Sequence, residues 1–176
     1  IYINLYGFKN VIKFIESIKK IDGYELDEEK YNDEMTQVKK RLLQVKKKFY
    51  FYKGSKDCAI FGDFDTVLGI SEMLKELGFN VDRKEIIYKT CDDANIVNEK
   101  LYLETTKYLN DKELLILLGD RVSIDMRHKS KKDLQISSSS LDLVDKCIDT
   151  PYIGFKGCMY IINQILNIDI HSEIEA

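Results

Sequence analysis

Apolar residues in the first third of the chain recur at steps of three and four. Val11, Ile12, Ile15 and Ile18 predict a helix over about residues 10–21, with Gly23 as its stop, after a short strand at residues 1–5. Met35, Val38, Leu42, Val45, Phe49 and Tyr52 continue the same rhythm and predict one long helix with a single apolar stripe and lysines on its other faces. From residue 57 the pattern changes to short apolar runs alternating with amphipathic stretches, the mark of βαβ units and a parallel sheet. The predicted strands are residues 58–61, 85–88, 114–118 and 133–136. The predicted helices are residues 66–77, ended by Gly78, and about 94–109. A last helix over about 157–167 follows the only proline, Pro151.

The expected fold is therefore α/β: a Rossmann-like parallel sheet of about four to five strands flanked by helices, with an N-terminal helical pair. At 176 residues with 44% apolar content the chain suits one domain, with residues 1–55 as a lead-in, 56–169 as the sheet region and 170–176 as an acidic tail. It starts at Ile1 without a methionine and reads as an excised piece of a longer polypeptide.

Composition narrows the classes of function. A net charge of −3 gives no global reason for a polyanionic partner, yet residues 30–56 hold eight lysines and Arg41 against Asp33 and Glu34. The run "KKKFYFYKG" interleaves aromatics with lysines in the manner of a single-strand nucleic-acid binder. A solvated face, or a face that meets another domain, is the preferred reading, and no nucleic acid is expected. No apolar run approaches the roughly 20 residues of a membrane span. Cys58, Cys91, Cys147 and Cys158 are scattered, which argues against a disulfide framework or a zinc site and suits a reducing cytoplasm.

Ligands of parallel sheets bind at the carboxyl ends of the strands. Gly62, Asp63 and Asp65 fall there after the first strand, Gly119 and Asp120 after the third, and Ser137, Ser138, Ser139 and Ser140 after the fourth. The two aspartates have two readings: ligands for a hard cation, or a strand exit at Gly62 followed by a helix capped by Asp65 or Thr66. Capping is the preferred one, because no third ligand is visible. The serines serve an anion or cap a helix before Leu141. "GDFDTVLG" lacks the glycine spacing of a dinucleotide loop. His128 has no partner carboxylate or cysteine placed near it by sequence, and His171 lies in the tail.

The stretch "KFYFYKGSKDCAIFGDFDTVLGISEMLKELGFNV" resembles a segment of nitrogenase component 1-type oxidoreductases, in which a basic-aromatic helix end leads into a strand, "GD-x-D" and a helix closing on "L-x-E-L-G". "TPYIGFKGCMYIINQILN" is similar to that family's "PY-x-GF-x-G" turn and last apolar helix, and "IKFIESIKKIDGYELDEEKYNDEM" to its preceding helix pair. Together they span about residues 5–169 in order. The resemblance implies the C-terminal Rossmann-like domain of a three-domain subunit built around an iron-sulfur or related metallocluster. It also implies a homologous partner subunit and electrons delivered by an ATP-hydrolysing iron protein. Gly154 and Gly157 would shape a turn toward the cluster cavity. The family's cluster cysteines would precede Ile1, so none of the cofactor is expected on this piece alone. Phe64 stands where the family commonly has proline. The histidine that holds the cofactor metal in the catalytic molybdenum-iron subunit has no counterpart in residues 144–149, where Cys147 is the only soft donor.

Overall fold

A computed structural model describes residues 4–88, 99–119, 121–125, 129–136 and 153–170. The chain divides into two compact units, one of Ile1–Lys53 with Cys147–Ala176 and one of Gly54–Lys146.

The described part of the first unit is helical. It contains α1 (Phe8–Ile18), α2 (Glu28–Lys48) and α6 (Gly154–Leu166). Helix α1 starts two residues before the expected point and ends three before it; Gly23, at φ 82°, follows in the turn rather than closing the helix. Asn4 and Leu5 are not in a strand, and the rest of the strand expected there lies outside the described residues.

Helix α2 begins on Asp27, whose carboxylate accepts from the Lys30 N–H at 3.0 Å. Tyr31, Val38 and Val45 repeat every seven residues and are buried, while Met35 and Leu42 are half-buried beside them. That stripe packs against α6. Phe155 of α6 lies 6.0 Å from the Tyr31 ring and 6.1 Å from the Phe8 ring, so a single aromatic ties α1 and α2 to α6. The Lys48 ammonium donates to the carbonyls of Leu166, at 2.6 Å, and Ile168. A cation from α2 thus meets the last carbonyl of α6 and one just past its C-cap. Burial pulls the Lys48 pKa below its ordinary value, against the opposing charge of Asp169.

The described part of the second unit is a four-stranded sheet in the order β2-β1-β3-β4, with all three strand pairs parallel. The strands are β1 (Asp57–Asp63), β2 (Asn80–Tyr88), β3 (Glu113–Gly119) and β4 (Lys129–Gln135). Helices α3 (Phe64–Glu76), α4 (Glu99–Asp111) and the five-residue α5 (Arg121–Asp125) connect them. Residues 58–61 and 114–118 are uninterruptedly buried, as strands covered on both faces must be. Ala59, Phe61, Leu114 and Leu117 pack with Leu109 of α4, and Tyr108 lies against the cluster.

Helix α3 ends in a Schellman motif. Gly78, at φ 89°, donates to the Lys75 carbonyl at 3.0 Å, and the Phe79 N–H reaches back to Leu74 at 3.1 Å. Strand β2 starts five residues earlier than its apolar content suggests, because its first half, "NVDRKE", is charged. Among the described strands it lies at an edge of the sheet, where charges blunt pairing with other chains. Strand β4 likewise begins earlier, at Lys129, on the other edge.

Candidate functional site

Strand β2 lies on one side of β1 and β3 on the other, so the connections leave β1 and β3 in opposite directions. Their carboxyl ends form the switch point at which parallel sheets open a crevice. Gly62 and Asp63 end β1 and Gly119 ends β3. The two exits are close: a Cβ on Gly119 would sit 3.6 Å from the Phe61 Cβ and 3.0 Å from the Ser123 Cβ of α5. A side chain at position 119 would press on Ser123 more tightly than side chains normally pack. The Gly119 carbonyl also accepts from the Ile136 N–H at 2.9 Å, which fixes the exit of β4 to that of β3.

Asp63 has a structural task here. It is the N-cap of α3, accepting from the Thr66 N–H at 2.9 Å and, through its other oxygen, from the Thr66 hydroxyl at 2.6 Å. The cap is therefore Asp63 rather than Asp65 or Thr66, and the helix starts at Phe64, two residues before the expected point. Asp65 lies half-buried in the first turn, where a carboxylate complements the helix dipole. Between the two acids, Phe64 is exposed at the β1 exit.

Of the residues the sequence nominated, Gly62, Asp63, Asp65 and Gly119 thus meet at one end of the sheet. Gly154 and Gly157 belong to α6 in the other unit. Gly154, at φ 70°, opens that helix and donates to the Leu5 carbonyl at 3.2 Å, and Gly157 is buried one turn on. Asp120, His128, Ser137, Ser138, Ser139, Ser140, Cys147 and His171 lie outside the described residues.

The donor chemistry does not fit a metal cluster held by the described residues. Among them no group of three or more His, Cys, Asp or Glu is placed to hold a metal ion. Cys58 is buried in β1 and Cys158 in α6. Burial, with the charge of Asp57 behind it, pushes the Cys58 thiol up to about 12, far from the thiolate that a metal requires.

A polar cluster at the opposite end of the sheet escaped the sequence reading. Between Cys58 and Ala59 the pairing with β2 skips Asp82, a β-bulge. The Tyr108 hydroxyl donates to Asp82 at 2.7 Å, and the Arg83 guanidinium lies 4.8 Å over the Tyr108 ring. Lys112 bridges Asp57, at 3.0 Å, and Asp82, at 3.5 Å. Arg83 also pairs with Glu85, and the Thr105 hydroxyl donates to Glu85 at 2.8 Å. Burial raises the Asp57 pKa, but hydrogen bonds from Asn80 and Lys112 outweigh it, so the carboxyl ends below its ordinary value. Burial and the bond to Asp82 push the Tyr108 phenol up. Every member of the cluster is satisfied by another, which makes it a clamp of α4 onto the strand starts. The shallow depression of about 320 Å³ beside it is lined by Glu104, Lys107, Tyr108 and Asp111 of α4 and by Lys112 just past the helix end, away from the strand exits. No pattern of residue types marks such a cluster, because only the bulge brings Asp82 and Arg83 to one helix.

A family model described as nitrogenase component 1 type oxidoreductase matches residues 1–168. No curated protein matches the chain. Among solved structures, "Nitrogenase Cp1 at pH 6.5" superposes with a TM-score of 0.69 at 13% identity, over 97% of this chain and 41% of that one. At that identity the likeness is one of fold, and this chain spans less than half the length of the structure it matches.

Proposed function

The chain belongs to the nitrogenase component 1-type oxidoreductase family, and from that premise we propose that it is the C-terminal Rossmann-like domain of an oxidoreductase or metallocofactor-scaffold subunit. Its role is to wall a cofactor cavity, and the ligands come from elsewhere in the parent subunit. The observation that carries this reading is the switch point: β1 and β3 are neighbours whose connections leave in opposite directions, so their carboxyl ends lie at the place where this sheet type receives a ligand. The family implies an iron-sulfur or related cluster, a homologous partner subunit and an ATP-hydrolysing iron protein as electron donor. Bound in the parent, the cluster would supply the electron-transfer chemistry. The residues of this chain would shape and exclude water from one side of the cavity. Ser138 and Ser139 are further contributors on this reading, and Cys147 is the candidate donor in the family's metal-binding stretch.

The alternative of a small-anion or nucleotide site at the α3 N-terminus is disfavoured by Asp63. Its carboxylate already occupies the position an anion would take.

The chain purified under strict anaerobiosis, after incubation with ferrous iron and sulfide, should carry no stoichiometric iron and no iron-sulfur absorbance. Stoichiometric iron retained through gel filtration, and lost on Cys147→Ser, would show that the domain ligates a cluster itself and would overturn the walling role.

A further inference from the structure

Leu43 on α2 is 53% exposed, and its four nearest neighbours on the helix surface, at positions −4, −3, +3 and +4, are Lys39, Lys40, Lys46 and Lys47. All four lysines are exposed, and none makes an ion pair among the described residues. One turn further on, Tyr50 and Phe51 are 75% and 65% exposed, their rings edge to face with centroids 4.7 Å apart. The stripe of α2 that packs within its own unit is the Tyr31, Val38 and Val45 face, so the Leu43 face is left over. Residues 39–56 hold eight cations and no acid, in a chain whose net charge is −3. The basic character therefore belongs to this patch and is not a property of the whole surface.

We infer that this patch docks an acidic amphipathic segment of a partner protein, one that places an apolar side chain on Leu43 and carboxylates on the surrounding lysines. Charge selects the partner: four cations of one sign around a single leucine have no internal counter-charge, so the surface that covers them must bring carboxylates. The apolar centre selects a protein. Interfaces concentrate apolar residues at the middle and leave lysines at the rim, which is how Leu43 is set among Lys39, Lys40, Lys46 and Lys47, with the exposed Tyr50 and Phe51 rings following the end of the helix. Leucine offers a nucleobase no stacking surface, and the perpendicular Tyr50 and Phe51 rings do not make the open platform that single strands use. The patch lies on the helical unit and draws nothing from the strand exits.

The test uses the full chain and a fluorescent helical peptide of about fifteen residues in which glutamates occupy the −4, −3, +3 and +4 positions around one leucine. Saturable binding is expected, weakened about tenfold or more by Leu43→Ser and by the Tyr50→Ser, Phe51→Ser pair. These side chains are exposed, so circular dichroism should be unchanged in both variants. Absence of peptide binding overturns the inference. So does binding that Leu43→Ser leaves intact, since charge alone would then suffice. Tighter binding of a fifteen-nucleotide oligothymidine than of the peptide would reassign the patch to nucleic acid.

Discussion

At the scale of single residues, Asp63 shows how one side chain limits what its site can do. A carboxylate that caps a helix satisfies orphan N–H groups and at the same time repels anions from them. Asp63→Ala should lower the unfolding free energy in urea by about 1 kcal/mol, and Asp63→Asn by a few tenths, since the amide oxygen still accepts. Gly119 is constrained by space instead. Gly119→Ala should cost about 1–3 kcal/mol through the contact with Ser123, and Ser123→Gly in the same chain should recover most of it. Full additivity of the two substitutions would refute the steric account. Cys58, with its thiol held at about 12, should resist iodoacetamide at pH 8 in the native protein and react only as fast as the chain unfolds. Peptide mass spectrometry of the alkylated protein reads this directly. The sequence nominated Asp63 as structural but misplaced the cap, because Asp63, Asp65 and Thr66 all have capping side chains and only the start of α3 chooses between them.

At the scale of elements, two polar clamps hold helix ends in place. Lys48→Met would leave the Leu166 and Ile168 carbonyls without their charged donor, with an expected loss of about 1.5–3 kcal/mol and faster amide exchange in the last turn of α6. In the other clamp, Asp57 has a carboxyl pKa lowered by folding, so its contribution is present above the unfolded value of about 3.9 and disappears as pH falls through the lower folded value. Chemical denaturation from pH 5 to pH 2 should therefore show a shallower loss of stability for Asp57→Asn than for the parent chain. Equal slopes would mean that Asn80 and Lys112 do not hold the carboxylate as described. The helical period made α1, α2, α3 and α6 legible, and Gly78 marked the end of α3 correctly. The first half of β2 and the start of β4 were not legible, because edge strands carry charges where a buried strand carries apolar residues.

At the scale of the whole molecule, a parallel sheet with two inner and two edge strands should open from its edges. Hydrogen exchange should be slowest in β1 and β3, each paired on both sides, and faster in β2 and β4. Comparable protection in β2 and β1 would argue against β2 as an edge. No helix among the described residues is long and apolar enough to cross a membrane. The amino-acid sequence by itself determined the family, most of the element types, and Gly62, Asp63 and Gly119 at the exits of β1 and β3, because helical period, buried apolar runs and glycine-aspartate turns are local properties of the chain. Only the tertiary structure decided that β1 and β3 are neighbours with their connections diverging, that Asp82 bulges toward α4, and that Leu43 is left outside the packed stripe of α2. Those outcomes depend on contacts between segments distant in sequence, and such contacts are set by how layers pack and which strand reaches which edge, which no local pattern encodes.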